Sequence, residues 1–160
     1  MTNIDLDKIV EERKAWMADH LRTYLQSGGK EGHVVDLSDL GGRGPTTCLV
    51  LKTIGRRTGR VQMVPLIYGK FGDEYVVVGS KGGAPEHPFW YFNLTARPDV
   101  EFQVAEQRWR GSWRVVEGEE RRRVWDLMAD LYPPYIDYQK HTKREIPLVL
   151  LKPRDAIASL

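Results

Sequence analysis

The chain has 160 residues, 41% of them hydrophobic and 29% charged, a composition that suits one globular domain with its own core. Its 24 basic and 22 acidic residues leave a formal net charge of +2, too small for a protein that coats a nucleic acid. Any recognition of anions must therefore depend on local clusters of charge.

Cysteine usage and hydropathy indicate the compartment. The single cysteine, Cys48, cannot form an internal disulfide, and its apolar surroundings in the sequence predict a buried thiol in a reducing compartment. The sequence shows neither a signal-peptide pattern nor an apolar span of about 20 residues, the length that crosses a bilayer. We therefore expect a cytoplasmic protein.

The first predicted element is an amphipathic helix within residues 1–29, ended by two glycines. Its apolar residues recur at steps of mostly three and four, which predicts a helix packed on the core. An alternative hypothesis is peripheral contact with the inner face of the cell membrane through Trp16 and Met17, although the mixed charge of the polar face weakens it. The apolar positions are Leu6, Ile9, Val10, Trp16, Met17, Leu21, Tyr24 and Leu25.

Residues 30–46 are polar and glycine-rich, and predict a loop. The predicted core, residues 47–153, then opens with two β-type runs, residues 49–51 and 61–68, which flank a turn containing Arg56, Arg57 and Arg60. Guanidinium groups match phosphate and carboxylate oxygens two at a time, so this turn is a candidate anion site. It lacks the glycine spacing and the Lys-Ser/Thr pair of an NTP-binding P-loop.

The remaining elements predict a mainly β fold with helices, of the α+β class. A β-type run at 74–79 leads into Ser80-Lys81-Gly82-Gly83, and a short helix is expected at 89–96. A hairpin at 100–105 and 108–116 precedes a helix at 119–131, whose Arg121–Arg123 run is expected on the solvated side. A helix-breaking segment at 132–138 and a strand at 146–151, ended by residues 152–154, complete the chain.

About six β-type runs in antiparallel order predict a small barrel with helices around it. Side chains fill a barrel of this size, so a flat ligand is expected outside it, in a groove between the barrel and the helices or between two subunits. The four histidines lack metal-ligand spacing, and Ser80 lacks a nucleophile-elbow context. His87 is expected to cap or orient a turn. The chemistry is therefore expected to come from a cofactor.

The ordered motifs between Thr46 and Lys152 carry a resemblance to a known family. They are KTIGRRTGR at 52–60, VPL at 64–66, VVGSKGGAP at 77–85, HP at 87–88 and WYFNL at 90–94. Together they resemble the deazaflavin-dependent nitroreductase family, the actinobacterial F420H2-dependent reductases of the quinone reductase type. The resemblance implies a split β-barrel of the FMN-binding, flavin-reductase type and coenzyme F420 as the cofactor. It also implies hydride transfer to quinones, nitroaromatics or conjugated enones and lactones, by a monomer or a homodimer.

The resemblance also implies roles for particular residues. The arginine turn and Lys81 would hold the anionic tail of the cofactor, while Tyr132, Tyr135 and Tyr138 would form a wall that contacts the acceptor. Tyr135 is placed closest to the ring as a hydrogen-bond donor, with Ser80 sharing that task. The implied cofactor-binding residues are Arg56, Arg57, Thr58, Gln62, Met63, Val64, Pro65, Leu66, Ile67, Val78, Gly79, Ser80, Lys81, Trp90, Tyr91 and Asn93.

Alternatives remain open at the sequence level. An FMN-dependent oxidoreductase on the same barrel would also need cations for a phosphate, and a non-catalytic F420-binding module would keep the groove without turnover. Arg56 and Arg57 could form a solvated hairpin tip, and Trp90 could be ordinary core. Spacing by three places the tyrosines on one helical face as well as on a wall. Lys52 is a weaker candidate, since its direction depends on the register of its strand.

Overall fold

The computed structural model describes residues 6–160, and the side chains from Lys14 onward. The helices are α1 (Leu6–Gln26), α2 (Phe89–Thr95), α3 (Gly118–Leu131) and α4 (Pro134–His141). The strands are β1 (Val34–Asp36), β2 (Pro45–Ile54), β3 (Val61–Ile67), β4 (Gly69–Phe71), β5 (Glu74–Val78), β6 (Asp99–Val104), β7 (Gln107–Val115) and β8 (Leu148–Ala156).

The strands form one antiparallel sheet that curls back on itself. Its order is β1-β2-β6-β7-β8-β5-β4, and β3 also pairs with β2. Only Tyr68 separates β3 from β4. Because β3 pairs with β2 while β4 pairs with β5, this bent segment joins the two ends of the sheet. The predicted split β-barrel with surrounding helices is confirmed.

Strand β2 separates the barrel interior from the layer under α1. Leu49 and Leu51 point into the interior cluster with Phe102, while Cys48 and Val50 pack on the other side with Tyr24 of α1. This alternation follows from the period of two in a strand, which sends successive side chains to opposite faces. Cys48 is buried, as predicted, and burial raises the pKa of its thiol to about 12.

Helix α1 is attached to the barrel through Tyr24. Its hydroxyl donates a hydrogen bond to the carbonyl of Cys48 at 2.9 Å and accepts one from the amide of Ala105 at 2.8 Å. Gly29 has a φ of +91°, and a Cβ there would lie 1.7 Å from the Ala105 carbonyl oxygen, so only glycine fits this close approach. Part of the predicted amphipathic pattern falls on the side chains of residues 1–13, which lie outside the described residues.

The structure differs from the sequence predictions at element boundaries. Residues 30–46 contain β1 and a 3-10 turn at Ser38–Leu40, although we predicted a loop there. Strand β8 continues through Pro153 to Ala156, whereas we expected it to end at 152–154. Its second half pairs only with β7, and a strand edge tolerates a proline because that side needs no amide donor.

In α3, Arg121 is half-buried and donates to the Ile146 carbonyl at 2.8 Å, so of the three arginines that we expected on the solvated side only Arg122 and Arg123 are exposed.

Candidate functional site

A groove of about 550 Å³ lies between the barrel and the helices. Its volume falls within the range of about 300–1,000 Å³ that small-molecule sites occupy. Strands β3 and β5 supply one side, and α1, α2, α4 and the segments beside them supply the rest. The lining residues are Trp16, Met17, His20, Leu37, Leu40, Cys48, Gln62, Val64, Pro65, Leu66, Ile67, Val78, Ser80, Lys81, Gly82, Pro88, Phe89, Trp90, Tyr132, Tyr135 and Tyr138.

The barrel side of the groove is apolar. Val64, Leu66 and Val78 line it, with Val64 and Leu66 also packed against the interior cluster, and Trp90 joins them from the first turn of α2. Trp90 is only 8% exposed and also belongs to the interior cluster, so it is both a core residue and a groove residue. A smooth apolar surface of this kind suits a flat ring, because dispersion contacts form over its whole face.

The tyrosine wall, formed by Tyr132, Tyr135 and Tyr138, closes the opposite side. Helix α3 ends at Leu131, and Pro134 begins α4, which places Tyr135 and Tyr138 on one face of the new helix. The rings pack edge to face, with centroids 5.0 Å apart for the first pair and 6.2 Å for the second. The tyrosines therefore show both predicted arrangements: Tyr135 and Tyr138 share one face of α4, and together with Tyr132 they form the tyrosine wall.

Tyr135 carries a hydroxyl without a hydrogen-bond partner among the described residues. Its side chain is 5% exposed, and burial raises its pKa well above the ordinary value, with a smaller contribution from Tyr132. A phenol in this state keeps its proton throughout the neutral range. It can therefore donate a hydrogen bond to a group that enters the groove.

The Lys81 loop, residues 79–87, adds a cation to the groove. Lys81, Gly82 and Gly83 have φ values of 46°, 63° and 84°, a left-handed turn that disfavours residues with a Cβ. A Cβ at Gly83 would lie 2.7 Å from the carbonyl oxygen of Tyr138, so this glycine lets the loop touch α4. The Lys81 ammonium forms an exposed ion pair with Glu86 at 3.1 Å.

Arg144 holds the Lys81 loop, and the sequence analysis did not identify it. Its guanidinium can only donate hydrogen bonds, so the His87 ring must accept through Nδ1 and carry its proton on Nε2. Burial, followed by the neighbouring Arg144 charge, lowers the pKa of His87, which favours this neutral form. The four acceptors of Arg144 are the carbonyl oxygens of Gly79 (3.0 Å), Ser80 (2.7 Å) and Ala84 (2.9 Å) and Nδ1 of His87 (3.0 Å).

The arginine turn, residues 55–60, lies at the tip of the β2–β3 hairpin, next to the groove residue Gln62. Its three arginines are exposed, and none of them forms an ion pair with a described residue. Buried Asn93 connects the turn to the groove, since it accepts from the Arg56 amide at 3.1 Å and donates to Gln62 Oε1 at 2.9 Å. The Arg56 guanidinium also lies 4.7 Å from the centre of the Phe92 ring. The turn therefore places positive charge beside one end of the groove.

The groove brings together twelve of the residues that the sequence analysis singled out, from Gln62 on β3 to Tyr138 on α4. Met63 does not line the groove and instead packs in the cluster beneath α1. Gly79 and Tyr91 do not line the groove, and the tilted rings of Tyr91 and His87 pack with centroids 4.7 Å apart. Arg56, Arg57, Thr58 and Asn93 belong to the turn and its support. The groove residues that were not among the implied site residues are Trp16, Met17, His20, Leu37, Leu40, Cys48, Gly82, Pro88 and Phe89.

Lys52 belongs to a different part of the surface. Its ammonium pairs with Glu101 at 3.0 Å beside a second cavity of about 260 Å³, and Arg110 pairs with the same carboxylate at 3.1 Å. Burial would raise the pKa of Glu101, but the hydrogen bonds from Lys52 and Arg110 outweigh it and hold that pKa below its usual value. Lys52 is therefore committed to a structural ion pair.

The groove fits the cofactor that the resemblance implies. A flat ring needs an apolar surface, and the groove is lined by Val64, Leu66 and Trp90. A phosphate and carboxylate tail needs cations, and Lys81 lies in the groove while the arginine turn lies beside it. The space around Gly82 is open, with no atom within 4 Å of where a Cβ would lie, so backbone can approach a ligand there.

Comparisons with known proteins agree with this chemistry. The family model described as F420H2-dependent quinone reductase matches residues 16–153. An F420H2-dependent quinone reductase of Mycobacterium tuberculosis (strain H37Rv) is 34% identical over 138 residues, which cover 84% of this chain and 88% of the relative.

Two solved structures are also similar. A protein described as a domain-swapped dimer has a TM-score of 0.63 and 34% identity, over 88% of this chain and 99% of its own. An F420H2-dependent reductase has a TM-score of 0.60 and 39% identity, over 66% of this chain and 93% of its own.

Proposed function

This chain belongs to the F420H2-dependent quinone reductase family, and from that membership we propose that it reduces quinones in the groove beside the Lys81 loop. The observation that carries the proposal is the meeting of three features in one groove: an apolar barrel side, a protonated Tyr135 hydroxyl and the Lys81 cation. Nitroaromatics and conjugated enones or lactones are proposed as further acceptors, since each has an oxygen that gains negative charge on reduction.

When bound, reduced F420 supplies the hydride. Lys81 and the arginine turn would hold its phosphate and carboxylate groups, and Val64, Leu66, Val78 and Trp90 would lie against its ring. These contacts fix the position of the ring and exclude water from the apolar side of the groove.

Tyr135 contributes to the chemical step by donating a hydrogen bond. Negative charge develops on the acceptor oxygen as it is reduced, and a donor whose bond strengthens with that charge lowers the barrier. Tyr135 has its proton available, because burial raises its pKa, and its hydroxyl has no competing partner among the described residues. The Ser80 side chain lines the same groove and is proposed as a second donor.

Two exposed apolar residues of α1 that line the groove support a further proposal, that the protein contacts a membrane surface. Trp16 is 48% and Met17 41% exposed, which fits contact of α1 with the membrane surface from which an apolar acceptor would come. None of the described helices is long and apolar enough to cross a membrane. Sedimentation with vesicles of anionic and neutral lipids tests this contact, and Trp16→Ala should weaken it.

The similar domain-swapped dimer supports the proposal that this chain also forms a homodimer. Light scattering during gel filtration measures the mass directly. A mass near 18 kDa at micromolar concentration would mean that the protein is a monomer.

A titration of the apoprotein tests the cofactor. F420 should bind more tightly than FMN, because the arginine turn beside the groove offers guanidinium groups to a long anionic tail. FMN binding of equal or greater strength would favour the FMN-dependent alternative.

A turnover assay tests the reaction. Oxidation of F420H2 should require a quinone, and it should cease when the acceptor is omitted. Tight binding of F420 without oxidation by any quinone, nitroaromatic or enone would mean that the chain is a non-catalytic F420-binding module.

A further inference from the structure

Apart from one 3-10 turn at Lys81–Gly83, the Lys81 loop lies outside the sheet and the helices, so most of its backbone carbonyls need donors from elsewhere. Backbone groups of the loop satisfy part of this need, with Gly83 donating to the Ser80 carbonyl at 2.9 Å and Ala84 to the Lys81 carbonyl at 3.1 Å. Arg144 donates to the carbonyls of Gly79, Ser80 and Ala84 and to the His87 ring, so its four acceptors span residues 79–87. One side chain thus connects both ends of the loop.

Only a guanidinium can make this set of contacts. Arg144 uses a planar group with five N–H donors, and four acceptors surround it at 2.7–3.0 Å. A lysine ammonium has three donors on one atom and cannot reach acceptors spread over such a fork. Arg144 forms no ion pair with a described residue; burial lowers the pKa of its guanidinium, and the nearby Glu86 charge offsets part of that shift. Its donors are therefore committed to the loop.

The backbone of Arg144 is fixed to α4, which carries Tyr135. The Gln139 side chain donates to the Arg144 carbonyl at 2.8 Å and accepts from the Ile146 amide at 3.0 Å. The loop itself touches α4 at Gly83, where the Tyr138 backbone leaves no room for a Cβ. Arg144 therefore determines how the Lys81 loop is placed relative to the tyrosine wall.

We propose that Arg144 is a positioning residue for cofactor binding, which holds Lys81 and Ser80 in the groove opposite Tyr135. Arg144 is not among the groove residues, so it acts through the loop rather than on a ligand. The inference rests on the proposed function for its effect on F420, while its effect on the loop is independent of any ligand.

Hydrogen exchange of the ligand-free protein tests the anchoring. In Arg144→Gln, exchange at the Gly83 and Ala84 amides should be about 10- to 100-fold faster than in the wild type, because the loop opens without its donors. Exchange at strand amides such as Val77 should stay unchanged, which shows that the barrel is folded. The matched control is Lys143→Gln, which removes an exposed neighbouring charge and should change neither set.

Fluorescence titration with F420 tests the consequence for binding. Arg144→Gln and Arg144→Lys should each weaken binding by about 10- to 100-fold, as expected when a charge-assisted contact is lost through displacement of Lys81. In steady-state kinetics, the KM for F420H2 should rise by a larger factor than kcat falls. Adding methylguanidinium to Arg144→Ala should restore part of the affinity, whereas methylammonium should not, and a general loss of stability would respond to neither.

The outcomes separate the two proposals. Unchanged exchange at Gly83 and Ala84 in Arg144→Gln would overturn the anchoring. Faster exchange with unchanged F420 affinity, while Lys81→Ala still weakens binding, would overturn the positioning role and leave the proposed function intact. Failure of the wild type to bind F420 would overturn the proposed function, and the exchange data would still decide the anchoring.

Discussion

Polar side chains around the groove differ from those on the outer face of β6, β7 and β8 in whether they have hydrogen-bond or ion-pair partners. On the outer face, Arg110, Arg114 and Arg154 each have a carboxylate partner. Around the groove, Arg57 and Arg60 have none among the described residues, and the Tyr135 hydroxyl has no acceptor. The pairs on the outer face are Arg110–Glu101 (3.1 Å), Arg114–Glu74 (2.8 Å), Arg114–Glu120 (2.6 Å) and Arg154–Asp99 (2.9 Å).

This difference distinguishes arginines whose ion pairs stabilise the fold from arginines that remain available to bind a ligand. A guanidinium fork engaged by carboxylates has few donors left, whereas an unpaired fork keeps all of them for an incoming anion. Arginine content is therefore less informative than arginine pairing. The comparison predicts that substitutions near the groove change binding or turnover, while those on the outer face change stability.

The largest expected effect is on turnover. Tyr135→Phe should lower kcat by about 10²–10⁴, the span typical of a positioned proton donor, while F420 affinity and the fold remain unchanged. Tyr75→Phe, which removes a hydroxyl away from the groove, is the control. Wild-type turnover in Tyr135→Phe, with a deuteride isotope effect showing that chemistry limits the rate, would mean that Tyr135 is no donor.

The second effect is on cofactor affinity. Arg57→Ala should weaken F420 binding by about 1.5–3 kcal/mol, the contribution of hydrogen bonds to charged groups, with little change in thermal stability. Arg154→Ala removes an arginine that already has a partner, Asp99, and should leave the affinity unchanged. Equal affinities in both variants would show that the arginine turn is only a solvated hairpin tip.

The third effect tests the outer face. Lys52→Gln should reduce the free energy of unfolding by about 0.5–1 kcal/mol, equivalent to a Tm lower by roughly 1–4 °C, without altering F420 binding. The folded pKa of Glu101 is depressed, so its contribution to stability is present above its unfolded pKa of about 4.3 and is lost as the pH falls. The difference in free energy of unfolding between the wild type and Lys52→Gln, measured by thermal unfolding, should therefore shrink below about pH 4. A constant difference down to pH 3 would contradict this assignment.

The smallest effect concerns Glu86, whose carboxylate forms an ion pair with the Lys81 ammonium. An anionic ligand must compete with it, so Glu86→Gln should raise F420 affinity by up to about fivefold, the equivalent of an exposed ion pair. Glu106→Gln, at the exposed β6–β7 turn, is the control for a general change in charge. Weaker binding in Glu86→Gln would indicate that Glu86 orients Lys81 rather than competing for it.

Strong local patterns in the sequence predicted most of the fold. The alternation at residues 100–104 predicted a strand, and β6 lies there in the structure, although polar Gln103 is buried as well. The order of motifs also predicted the family, which the comparisons confirm. The boundaries of the elements were less predictable. Strand β8 extends past Pro153 because it pairs with β7 there, and the local sequence does not show which strand will be its neighbour.

The candidate site was predictable where a motif carried it and not where tertiary contacts assemble it. Lys81, Gln62 and Tyr135 line the groove, and the family resemblance implied a role for each of them. Arg144 lies about 60 residues from the carbonyls that it binds, and nothing near it in the sequence marks it. The same holds for His20 and Leu40, which reach the groove through the placement of α1 and of the 3-10 turn.

The attachment of α1 has a consequence for how this groove can diversify. The barrel side is constrained, because Val64 and Val78 belong to strands whose other neighbours form the core. Helix α1 meets the barrel through Tyr24 and the close approach at Gly29, while Trp16 and Met17 reach the groove from exposed positions. A duplicated copy of this gene could thus acquire a new acceptor range through changes in the first helix alone, with the sheet inherited intact.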